Sequence, residues 1–406
     1  MDLRSRTFRA VGFPLRLHSG ENALDQLKDE VERQKAKRAY VICGQTVATK
    51  TGLLGRIAAN LGPLYAGAFQ AMDKDSSWPA VRDAVEAARA AEADLLIALG
   101  GGSVIVGTRA VAILLAEKGD AFSLMTQYPE GKPAYSPRLT APKPPIVNVP
   151  TTPTTAMNRA GTGLKNEDLD HRMEFFDPKT RPCAIFWDAA ALLTAPAALI
   201  RSTATTGHSS ALRALGSAAM NPLVEADRRH AFRLLDTALP RVMEEPENAA
   251  LRIDLCAAAF LQNRADDDDQ GRRRSRDQTG SSAYALATAL HIRYDNVWQG
   301  ESTSSVIPAV TRLTPPEDVA AAARIADAIG VWKDGMTSEA AADATASALE
   351  ALYRRIGMPA RLRDLDIPKA ELPLLAQDTL KNFNANPGDR PGDYTGRMLR
   401  LLEAAW

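Results

Sequence analysis

Apolar positions in the first half of the chain fall into two interleaved textures. Short, nearly continuous apolar runs at residues 38–43 (RAYVIC), 64–69 (LYAGAF), 95–99 (LLIAL) and 145–149 (PIVNV) have the length and β-branched content of buried strands. Between them, apolar residues recur at helical spacing. The spacing predicts helices over 21–34 (Leu24, Leu27, Val31), 51–61 (closed by Gly62-Pro63), 78–91 and 104–116. A looser alternation over 7–17 predicts a strand pair around Gly12-Phe13-Pro14. Strands alternating with helices imply a parallel sheet with crossover helices. After Asp188 the β-branched runs end, and Ala- and Leu-rich helical periods continue almost to Trp406. The expected fold class is an α/β N-terminal domain with a parallel sheet, residues 1–188, plus an all-α C-terminal domain, residues 189–406.

Composition narrows the partners. The 406 residues carry 49 Lys plus Arg against 49 Asp plus Glu, so no net field favours nucleic acid or an anionic membrane. Three widely spaced cysteines, Cys43, Cys183 and Cys256, fit a reducing compartment better than a disulfide framework. The basic N-terminus lacks the apolar core of a signal peptide, and no apolar run approaches a membrane span. These features predict a soluble, cytoplasmic protein with neither nucleic acid nor a membrane as partner. Residues 264–280, RADDDDQGRRRSRDQTG, read as a solvated, mobile loop.

The chemistry starts at residues 94–109. An apolar strand runs into Gly100, Gly101, Gly102 and Ser103, then into a helix. Uncapped N–H groups at a helix start form an anion site, and glycines let a diphosphate approach the backbone. The run is neither GxGxxG nor a Walker loop, so the residues alone leave a cofactor site and a tight strand-to-helix turn both open.

The order of motifs resembles the iron-containing alcohol dehydrogenase superfamily, including its maleylacetate reductase branch. LLIALGGGS at 95–103 is similar to that family's diphosphate loop, and IVNVPTT at 146–152 to its threonine turn. Phe176-Asp177-Pro178, Pro182 and Asp188 match the close of its first domain. Gln299-Gly300-Glu301 with Pro308 lies where its second metal-binding segment is expected, and the last helices match near Arg354 to Ile367 and Asp378 to Arg390. The resemblance implies cofactor contacts from Gly100, Gly101, Gly102, Ser103, Thr151, Thr152 and Thr155. It also implies that the first domain is a Rossmann-like nucleotide-binding domain, that a cleft lies between the two domains, and that the chain forms a homodimer or higher homo-oligomer.

Departures from the family pattern bear on activity. The family's Asp and His metal ligands on one helix correspond to Thr206 and Ser210, its third ligand to Tyr284 or Ala285, and its fourth to Gln299. His208 lies two positions off, on roughly the opposite helix face. Only five histidines are present, and no two are four apart. The expectation is therefore NAD or NADP with no iron or zinc, because neutral hydroxyls and an amide bind divalent cations weakly. Val106 and Arg109 replace a family Asp and Lys, Gly44 replaces the acid that favours NAD, and Arg172 replaces a second Lys. Tyr284, His208, His291, Arg172 and Gln299 are the candidate catalytic groups. Tyr284 can protonate a carbonyl, and Arg172 can grip a substrate carboxylate bidentately. The expected activity is a metal-independent NAD(P)-linked reductase of a small carbonyl or keto acid. The alternatives are a non-redox lyase, isomerase or hydrolase using the same cleft, and a catalytically silent relative.

Overall fold

The structure is a computed structural model that describes residues 7–169, 171–217, 220–268, 279–383, 385–388 and 392–406. Six parallel strands form one sheet: β1 (Arg16–Gly20), β2 (Ala39–Cys43), β3 (Tyr65–Phe69), β4 (Leu95–Gly100), β5 (Ile146–Pro150) and, after a short hairpin, β8 (Ala184–Asp188). Their spatial order is β1-β8-β5-β4-β2-β3. The hairpin pairs β6 (Gly161–Leu164) with β7 (Met173–Phe176) in antiparallel register.

The central strands are apolar throughout because both faces are covered. Tyr40, Ile42, Leu96, Ala98 and Ile146 point into one core. The alternating residues Val41, Cys43, Ile97, Leu99 and Val147 point into the other. From β2 the chain winds outward to β3, and from β4 it winds the other way to β5. Connections therefore diverge between β2 and β4, and a crevice opens beyond their carboxyl ends, the usual ligand position in such sheets.

Two helices shape that crevice from the sheet side, α1 (Trp78–Ala90) and α2 (Gly102–Ala116). Beyond Asp188 the described chain is helical. The helices that bear on the site are α3 (Ala197–Ala214), α4 (Pro222–Ala238), α5 (Ala249–Asp268), α6 (Thr279–Arg293) and α7 (Gln299–Leu313). They share a separate core around Leu212, Leu235, Leu255, Leu286 and Val306. Helix α5 joins the two halves, for its Leu251 and Leu255 enter this core while Cys256 and Ala259 enter the sheet's.

Three expectations need correction. Residues 7–15 form no strand, and β1 begins only at Arg16, beyond Pro14, pairing with β8. The helix expected over 21–34 is a 3₁₀ turn, Ala23–Gln26, followed by Leu27–Arg33. The acidic start of the charged segment is not solvated loop but the last turn of α5, where Arg264 pairs with Asp227, Arg159 with Asp266 and Arg181 with Asp267. The rest of that segment, 269–278, lies outside the described residues.

Candidate active-site cleft

Backbone geometry fixes the glycine turn. Gly100 closes β4 at φ +155°, and a Cβ there would stand 2.7 Å from Val104 Cγ2. Helix α2 starts directly after it, with Gly101 as N-cap and no side chain capping the first turn. The free N–H groups of that turn point past the carboxyl end of the sheet. Threonines of the next turn close the other side. The Thr151 N–H donates to the Gly100 carbonyl (3.0 Å), and a Cβ on Gly102 would lie 2.9 Å from Thr154 Oγ1. At Gly101 the Cβ position clears Thr152 Oγ1 by 3.4 Å, an ordinary contact. Gly100 to Ser103 and Thr151, Thr152 and Thr155 thus come together as one shelf. Asn263 of α5 braces it by donating to the Thr155 carbonyl (2.8 Å).

Arg109, about two turns along α2, is fully buried and donates to the carbonyls of Ala156 (2.6 Å) and Arg159 (2.7 Å). It fixes the segment just after the threonines. Burial, then Arg159 and Arg181, press its pKa down to about 9, and Tyr284 acts in the opposite sense.

The floor of the cleft contains a loop that the resemblance did not single out. Between β3 and α1, Asp75 and Ser76 both adopt left-handed backbone conformations (φ 60° and 52°). The Asp75 N–H donates to Ser103 Oγ (3.0 Å), and Ser76 Oγ donates to the Ser103 carbonyl (2.5 Å), so the loop is tied to the glycine turn. Lys74 crosses to the helical half and donates to the carbonyls of Asp295 (2.6 Å) and Val297 (3.2 Å). His291 of α6 faces the same loop, its Nε2 4.0 Å from Asp75 Oδ1. Arg172 donates to the Gly163 carbonyl (2.8 Å), while its buried Nε has no partner among the described residues. Its charge is felt at both Asp75 and His291. The sequence did carry a signal for this loop, since Asp73-Lys74-Asp75-Ser76-Ser77 is a dense run of turn-forming residues.

The helical wall holds the remaining candidates. Thr206 Oγ1 lies 3.5 Å from Thr303 Oγ1, and Ser210, one turn on, is exposed. Tyr284 is 40% exposed, and Gln299, the first residue of α7 and next in sequence to Trp298, is exposed as well. His208 is not part of this wall. It is fully buried on the far face of α3, with Nε2 3.1 Å from Asp236 and its ring against Phe232 of α4. It packs two helices together and is removed from the catalytic candidates on that ground.

Family models match both halves: iron-containing alcohol dehydrogenase over residues 14–189, and the Fe-containing alcohol dehydrogenase C-terminal model over 209–406. The chain is 25% identical over 378 residues to a 1,3-propanediol dehydrogenase of Citrobacter freundii, covering 92% of this chain and 93% of that protein. It is also 25% identical over 403 residues to a lactaldehyde reductase of Escherichia coli, covering 95% and 97%. A crystal structure of maleylacetate reductase from Agrobacterium tumefaciens superposes with a TM-score of 0.73 at 21% identity, covering 98% of each chain.

These matches overturn the expectation of a cofactor set without iron or zinc, because the matched family is an iron-containing one and points to iron with a nicotinamide. The residues at the four corresponding positions are a poor fit to such an ion: Thr206, Ser210, Tyr284 and Gln299 offer no carboxylate and no imidazole. Among the described residues no group of three or more His, Cys, Asp or Glu is placed to hold a metal. With the two models covering both halves, and sheet, glycine turn, threonine turn and helical wall in the order they require, the chain belongs to the iron-containing alcohol dehydrogenase family.

Proposed function

We propose that this member of an oxidoreductase family is an NAD(P)-linked reductase of a small carbonyl or keto-acid substrate bound between the glycine shelf and the helical wall. The observation that carries the reading is the uncapped start of α2 behind Gly100 to Ser103, open to the crevice between β2 and β4. Its N–H groups suit a diphosphate. Gly44, at the end of β2, places no carboxylate against an adenosine 2′-phosphate, so both nicotinamide forms are admitted. The bound nicotinamide supplies the hydride. Arg172, whose positive charge is felt at Asp75 and His291, attracts a substrate carboxylate. Tyr284 and Gln299 donate hydrogen bonds to the carbonyl oxygen, and the Tyr284 phenol passes its proton there as charge develops. In this reading the first domain ends at Asp188 and the second begins at Ala189, a division supported by the end of β8 there. The protein works in the cytoplasm as a homodimer or higher homo-oligomer; its three free cysteines suit a reducing compartment.

Gly101→Asp tests the reading cleanly. Gly101 has φ −79°, and its Cβ position is uncrowded, so the variant folds while placing a carboxylate in the anion site. The wild type is expected to bind NADH or NADPH, raising its melting temperature. It should also consume the dinucleotide with short aldehydes or keto acids. Gly101→Asp should lose both properties and keep its unliganded melting temperature. A variant that binds the dinucleotide as well as the wild type sinks the proposal.

A further inference from the structure

Gly163 stands opposite Glu174 in the β6–β7 register. A Cβ on it would lie 3.1 Å from Arg172 Nε, 3.3 Å from Arg172 Cζ and 3.5 Å from Glu174 Cγ. The first two distances are tighter than an ordinary contact, which is about 3.5–4.0 Å. The Arg172 side chain therefore fills the space that a side chain at 163 would take, and its Nη2 donates to the Gly163 carbonyl (2.8 Å). Nothing in the backbone asks for glycine here, since Gly163 lies outside the left-handed region. The guanidinium, and not the turn of the chain, is what a side chain at 163 would disturb.

Glu174, two residues beyond Arg172, does not take up its charge. The carboxyl of Glu174 accepts from the Tyr128 hydroxyl and from the Phe383 N–H. Among the described residues Arg172 has no ion-pair partner. Its Nη1 hydrogens and the second hydrogen on Nη2 remain for an incoming carboxylate. The charge reaches the cleft floor, where Asp75 and His291 both feel it.

We infer that Gly163 is a specificity-determining position, whose missing side chain seats the Arg172 guanidinium to take the terminal carboxylate of an oxo-acid substrate. The inference rests on the proposed reductase reading and narrows its substrates to oxo acids. Gly163 acts through Arg172, as a positioning residue.

Succinate semialdehyde and butanal carry the same number of carbons and differ in a terminal carboxylate, so their ratio of kcat/KM reads the seat. With NADH or NADPH, the wild type is expected to prefer the oxo acid by at least about tenfold, and Arg172→Gln to lose that preference. Gly163→Ala asks the guanidinium to give by a few tenths of an ångström and should lower the preference about threefold. Gly163→Val puts methyl groups in its place and should abolish the preference. Both losses should fall on the KM for the oxo acid, with butanal kinetics and the melting temperature kept. In an Arg172→Gln background, Gly163→Val should change the ratio no further. A Gly163→Val protein that melts like the wild type and keeps the preference overturns the inference, as does a loss shared equally by butanal. If Gly163→Val does not fold, Gly163→Ala decides by the same two readings. A wild type that reduces both substrates equally keeps the reductase reading and overturns the inference. If it reduces neither, the reductase reading fails, and calorimetry with succinate decides the seat. Weaker binding in both Arg172→Gln and Gly163→Val then supports it, and equal or absent binding overturns it.

Discussion

The two sides of the cleft are constrained by different forces. On the shelf, the constraint is written in backbone. Gly100 has a φ that disfavours side chains and a valine against its Cβ position, and Gly102 faces Thr154 at 2.9 Å. A side chain at either place must move part of the fold. On the wall, Ser210, Tyr284 and Gln299 are exposed, and Thr206 is half-buried. Such residues contribute little to folding and can change identity at small cost. Yet the wall has its own invariant-looking spot. Gly300, directly after Gln299, lies where α7 crosses α3, and a Cβ there would come within 2.1 Å of the Ser202 carbonyl oxygen. The difference teaches that the shelf is constrained by close backbone approach, while the candidate side chains of the wall escape that constraint except where Gly300 meets α3.

Substitutions at the tight glycines test that division. Gly300→Ala is expected to have the largest effect, because the clash is with backbone and Ser202 also bonds Glu301 through Oγ (2.7 Å). A loss of roughly 3–5 kcal/mol is expected in urea unfolding. A cost below about 1 kcal/mol would break the claim that α3 and α7 meet through backbone. Gly100→Ala should follow with about 2–3 kcal/mol, from the positive φ and from Val104. Comparing it with Gly100→Ala/Val104→Ala sharpens the point. If crowding matters, the double variant recovers part of the loss, whereas pure backbone strain leaves the penalty of the glycine change intact.

What could be read from the chain follows the same line. Strands β2, β4 and β5 are legible because burial on both faces leaves unbroken apolar runs. The glycine turn is legible because few residues can replace glycine there. Hairpin β6–β7 is absent from the predicted elements because each strand has only four residues, and Gly161 and Gly163 interrupt its alternation. In the site, the Asp75–His291 pairing is hidden because it joins residues more than two hundred positions apart. His208 shows the opposite limit. Helical periodicity placed it away from Thr206 and Ser210, but only the packing of α3 on α4 reveals Asp236 as its partner.

The acidic end of α5 gives the smallest of these effects and the finest test of how shelf and wall are joined. Arg181, just before β8, donates to both oxygens of Asp267 (3.0 and 2.7 Å) and to the Asn158 carbonyl (2.9 Å), and its guanidinium lies 3.8 Å above the ring of Phe13. Arg159 makes a parallel bond to Asp266 (2.8 Å). Partial burial and bidentate geometry should make the Arg181–Asp267 pair worth more than an exposed ion pair, though its desolvation offsets part of the gain. Arg181→Ala is expected to cost about 1–2 kcal/mol in urea unfolding. In a double-mutant cycle with Asp267→Asn, a coupling of about 1 kcal/mol should remain. Arg181→Lys should recover little of it, because an ammonium cannot reproduce the fork or the stacking on Phe13. Additive single losses would show that the two halves are held by the apolar faces of α5 alone, with the charged run merely lying alongside.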